Sequence, residues 1–77
     1  MWKTGTLLVL RPRDGQHLKP PEWRLERPFL CLVIHATQLS FGTKGATNQY
    51  LLLGDDRLLT LVVNGEKEHN MTVLKEA

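Results

Sequence analysis

The sequence predicts an all-β domain: a small antiparallel barrel or roll of about five strands with a long basic, proline-rich first loop. Three observations predict the β class. The apolar runs are short, rich in Leu, Val and Ile, and bounded by turn residues. No stretch shows a sustained helical period. Consecutive runs are separated by Gly54-Asp55-Asp56 and by Asn64-Gly65, spacings that suit hairpins. Antiparallel neighbours joined this way in a short chain bend into a barrel or roll. An intertwined or strand-swapped β dimer is the alternative.

The first strand is read at Thr4–Leu10 (TGTLLVL). The loop of residues 12–28 follows, with four prolines. The second strand is Phe29–Thr37 (FLCLVIHAT), with Pro28 at its mouth, where a missing N–H does least harm. Gly42-Thr43-Lys44-Gly45 forms a flexible hairpin tip before the third strand, Asn48–Leu53. The fourth strand is Arg57–Val63. Asn-Gly tolerates positive φ at both residues, so Asn64-Gly65 predicts a hairpin into a polar fifth strand, Glu66–Met71. Residues 72–77 form a helical turn or a last strand.

The 77 residues make one domain, 1–77. A chain of this size buries only about 60–65% of its unfolded surface, so its stability margin is thin. Cys31 is the single cysteine, which excludes an internal disulfide. A lone Cys, and an opening Met1-Trp2-Lys3-Thr4-Gly5 without a signal-like apolar core, predict a reducing, cytoplasmic setting. No apolar run approaches the roughly 18 residues of a membrane helix.

The net charge of +2 is unevenly spread. Residues 1–27 carry Lys3, Arg11, Arg13, Lys19, Arg24 and Arg27 against Asp14, Glu22 and Glu26, a net of +3. The remainder carries a net of −1. The positive field therefore gathers on the first loop.

The loop is the first candidate site. Pro20-Pro21 stiffens it, so presenting side chains loses little entropy. Trp23, Arg24 and Arg27 are residue types that anchor interfaces. Arg11, Arg13, His17 and Lys19 add donors for acidic groups or phosphates. The competing reading makes Trp23 a cap on the barrel end.

The second candidate is a sheet face. Side chains alternate along a strand. Phe29, Cys31, Val33 and His35 fall on one side of the second strand, and Leu30, Leu32, Ile34 and Ala36 on the other. The third and fourth strands are also apolar on both sides. A small antiparallel sheet normally shows water one polar face. The second face, with Leu30, Leu32, Ile34, Leu51, Leu53, Leu58 and Val62, is therefore expected to pair with another chain, most simply as a homodimer. The competing reading has the loop fold across it, using Leu18, Trp23 and Leu25.

No catalytic or metal-ligating set emerges, and no cofactor is expected. Cys31 and His35 share a face but stand ~13 Å apart along an extended strand. The three histidines have no Cys or carboxylate at ligand spacing. Gly42-x-x-Gly45 with Lys44 lacks the following helix that a phosphate-gripping loop uses.

Residues 50–77, YLLLGDDRLLTLVVNGEKEHNMTVLKEA, resemble the closing part of small SH3-like barrels, including phage-type ones. A strand, a tight turn, a longer strand, an Asn-Gly hairpin and a polar strand lead there into a closing turn. Met71, Val73 and Leu74 would hold the closing positions. The opening TGTLLVLR is similar to the glycine-containing first strand of the same barrels. One departure is the wholly aliphatic strand before the last hairpin, where such barrels often carry an aromatic. The resemblance implies binding through loops and names no ligand. Together these readings predict a non-enzymatic module that docks on a partner protein. The alternative is a nucleic-acid-associated barrel with the basic loop on phosphates and Trp23 stacking on bases.

Overall fold

The computed structural model describes residues 1–21, 25–43 and 45–77. It is a single antiparallel sheet of six strands: β1 (Leu7–Leu10), β2 (Leu18–Lys19), β3 (Phe29–Gly42), β4 (Gly45–Gly54), β5 (Arg57–Asn64) and β6 (Thr72–Lys75). The spatial order is β2-β5-β4-β3-β1-β6. The all-β expectation is met, with one more strand than the five read from the sequence. β2 and β6 are the two edges, so the roll stays open rather than closing into a barrel.

β3, β4 and β5 form the meander that the aliphatic runs predict, and all three run longer than expected. The β4–β5 turn is a two-residue hairpin: Gly54 pairs with Arg57, and Asp55 and Asp56 have φ of 52° and 57°. Positive φ at both central positions matches the right-handed twist of the flanking strands. Gly54 is required by a close approach. A Cβ there would stand 2.5 Å from the Leu30 carbonyl oxygen and 2.8 Å from the Cys31 sulfur.

Two expectations about the C-terminal third are corrected. Asn64-Gly65 does not turn a hairpin. Asn64 instead caps a helical turn, α1 (Gly65–Glu68), its Oδ1 accepting from the Lys67 N–H at 2.8 Å. Asn serves an N-cap as well as a turn, because its carbonyl replaces a missing backbone acceptor. The polar fifth strand at Glu66–Met71 is therefore absent, and the strand in this region is β6, paired with β1.

The first loop is partly built structure. Pro12–His17 forms a 3-10 turn, with Asp14 accepting from the Arg11 N–H at 2.8 Å. Leu18 and Lys19 then pair with Leu61 and Thr60 of β5. Leu18 and Leu25 enter the core, joining Leu8, Leu10, Val33, Leu52 and Leu61 on the inner side of the sheet.

A bulge corrects the face assignment of β3. Val33 pairs with Leu52 and His35 with Leu51, leaving Ile34 as the extra residue. Two residues opposite one reverse the alternation beyond that point. His35 thus turns to the outer, exposed side, while Ala36 packs on the core.

Candidate functional site

The outer face of the sheet is the most distinctive surface. The register aligns Leu58 with Leu53, Leu53 with Leu32, and Leu32 with Leu7. This is a row of four leucines on four adjacent strands. Strands spaced about 4.8 Å apart make it continuous. Leu30 lies on the next rung, opposite Val9, and Leu51 lies opposite Thr60. Leu58 is 59% exposed, Leu30 53% and Leu53 45%. Leu32, Ile34, Leu51 and Val62 are half-buried. The register places Leu30, Leu32, Leu51, Leu53, Leu58 and Val62 on this side of the sheet, and Ile34 is the bulge residue without a place in the register. Among the described residues of the loop, Leu18 and Leu25 enter the inner core, and Leu30, Leu53 and Leu58 remain exposed.

The basic loop residues are dispersed. The Arg13 guanidinium donates to the Asn70 carbonyl at 2.9 Å, tying the 3-10 turn to the chain just before β6. Arg11 is exposed beside it and His17 is half-buried. Lys19 is exposed on the edge strand β2. Arg27 lines a cavity of about 240 Å³ with Leu25, Glu26, Phe29, Asp55 and Arg57. There the Arg57 guanidinium carbon lies 5.9 Å from the centre of the Phe29 ring. Trp23 and Arg24 lie outside the described residues, as does Lys44 of the hairpin tip.

Two features escaped the sequence reading. The β3–β4 hairpin continues past Thr37, and its end carries Leu39 and Phe41, the latter 78% exposed. The second is a polar cluster around Glu68, which α1 turns inward. Its Oε1 accepts from the Tyr50 hydroxyl at 2.8 Å and its Oε2 from the Asn48 amide at 2.6 Å. The terminal ammonium of Met1 stands 3.9 Å from Oε1. The Trp2 N–H donates to the Tyr50 oxygen at 3.1 Å, and the two rings lie 4.7 Å apart. Burial raises the Tyr50 pKa, and the bond to Glu68 adds to the rise. The phenol therefore stays a donor. An open cavity of about 990 Å³ adjoins the cluster, lined by Trp2, Glu66, Glu68, His69 and Met71 among others. Both oxygens of the carboxylate are engaged by internal donors, so the cluster fastens α1 and the N-terminal segment to β4. Only a 3.6-period reading of Gly65–Glu68 would have found it, and four residues are too few to show one.

Cys31 and His35 do not share a face, contrary to the alternation read from sequence. The thiol is buried, and burial pushes it up to about 11; the Arg57 charge opposes the rise and that of Asp55 adds to it. His35 Nε2 lies 3.1 Å from the Thr37 hydroxyl on the opposite side of the sheet. Among the described residues, no group of three or more His, Cys, Asp or Glu could hold a metal ion. No described helix is long and apolar enough to cross a membrane. No family model, curated protein or solved structure matches the chain.

Proposed function

We propose that the chain is a non-enzymatic protein-interaction module. It docks on a partner protein through the loop 12–28 and the leucine face of its sheet. The observation that carries this reading is the aligned row Leu58–Leu53–Leu32–Leu7, exposed at Leu58 and Leu53, with the exposed Leu30 beside it. An apolar patch of several hundred Å² on a small domain marks an interaction site. Burying ~500 Å² of it at roughly 25 cal/mol per Å² contributes on the order of 12 kcal/mol before association costs. The sequence resemblance to phage-type SH3-like barrels agrees with a binding role. A reducing, cytoplasmic setting suits the free, buried Cys31.

The nucleic-acid reading draws less support. Arg13 is engaged by Asn70, and Lys19 and Arg27 belong to different elements, so the described cations make no stripe along which a phosphate backbone could run. The test is capture of a partner from host extract by the wild type and by a Leu53→Lys/Leu58→Lys variant, with circular dichroism confirming the fold of each. The expected result is capture that the variant loses and that persists between about 50 and 200 mM salt. Capture that survives the variant, or that falls steeply with salt, would overturn the docking face.

A further inference from the structure

We infer that the partner seated on the leucine face is a second copy of this chain, the two sheets packing outer face to outer face about a twofold axis. The inference rests on the docking role proposed above and names the occupant.

The first support is charge. Side chains on the outer face of β1, β3, β4 and β5 include no Lys, Arg, Asp or Glu, as the register and sequence together establish. Two cations mark its edges: Lys19 opposite Thr60 on β2, and Lys75 opposite Leu7 on β6. A partner chosen by charge would find no Lys, Arg, Asp or Glu to pair with inside the patch, where the exposed His35 opposite Leu51 adds an imidazole. A neutral surface is its own complement, as a twofold interface requires, since each residue set must accept its own image.

The second support is area. Leu30, Leu53 and Leu58 are each about half exposed, and Leu32, Ile34, Leu51 and Val62 add partial exposure. With Leu7 and Val9 the patch offers on the order of 600 Å² per copy, which places a pair at the lower end of stable protein interfaces. The third support is shape. Leucines aligned across neighbouring strands form ridges that interdigitate with a like set when sheets stack about 10 Å apart.

Sedimentation equilibrium on the full chain at tens of micromolar tests the inference. The expected mass is twice the 8.8 kDa of one chain. Leu53→Lys/Leu58→Lys should sediment as a single chain with an unchanged circular dichroism spectrum. If that variant misfolds, Leu30→Lys, on the same face but another strand, should give the single-chain mass. Phe41→Ser, on the hairpin end away from the patch, should leave the dimer intact.

A wild type of single-chain mass overturns the inference, as does a folded face variant that still dimerises. Anilinonaphthalene sulfonate then separates the two proposals. A monomer that binds the dye, and loses it on Leu53→Lys/Leu58→Lys, keeps the face as a docking surface for a different protein. A monomer that binds none removes both.

Discussion

The Tyr50 hydroxyl donates a 2.8 Å hydrogen bond to Oε1 of Glu68, joining the centre of the sheet to the helical turn α1. Tyr50 is fully buried and Glu68 nearly so. Tyr50→Phe would leave that carboxylate oxygen without its buried donor and the Trp2 N–H without an acceptor. The expected cost is ~1–3 kcal/mol. Urea unfolding would measure it. A loss near zero would show that water replaces the phenol and that the cluster fastens nothing.

Alkaline pH should weaken the fold. The folded chain holds the Cys31 proton up to about 11 instead of the ordinary 9.0, and the Tyr50 proton is also held above its usual range. Above pH 9 the unfolded thiol ionises first, so the unfolded state binds fewer protons and stability falls as pH rises. Below that pH the contribution is constant. The Cys31 share lost by pH 11 is on the order of 2 kcal/mol. Denaturant midpoints across this range would follow it. Cys31→Ala should flatten the early part of the decline, and an unaltered slope in that variant would assign the loss elsewhere.

Gly54→Ala should be among the more damaging single changes in the sheet. The new Cβ meets the Leu30 carbonyl and the Cys31 sulfur inside contact distance, and the carbonyl is backbone, which cannot swing aside. Overpacking of this kind costs typically ~1–3 kcal/mol. At roughly 4–8 °C per kcal/mol in a domain of this size, the melting midpoint should drop by ~5 °C or more. An unchanged midpoint would mean that β3 and β4 separate at that rung with little loss.

Much of this architecture is written locally. The aliphatic runs of β3, β4 and β5 and the Gly54–Arg57 turn follow from residue type and spacing, and the outer leucines follow from alternation. What alternation could not supply is the bulge at Ile34. No residue there announces it, and it sends His35 and Ala36 to the sides opposite those expected. Asn64 was ambiguous for a different reason, because the same side-chain carbonyl satisfies a turn or caps a helix. The competition for Leu18 and Leu25 was settled by tertiary contacts alone: the core had room for them, and the outer face was left open.

The position of β1 between β3 and β6 has a consequence for synthesis. A chain made from its N-terminus releases β1 first, yet the outer edge of β1 is matched only by residues 72–75. The meander of β3, β4 and β5 needs only near neighbours and can assemble while translation continues, since short loops close at little entropic cost. Throughout that interval the N–H and C=O groups along the free side of β1 face water. The roll becomes a finished sheet only when its first strand meets its last.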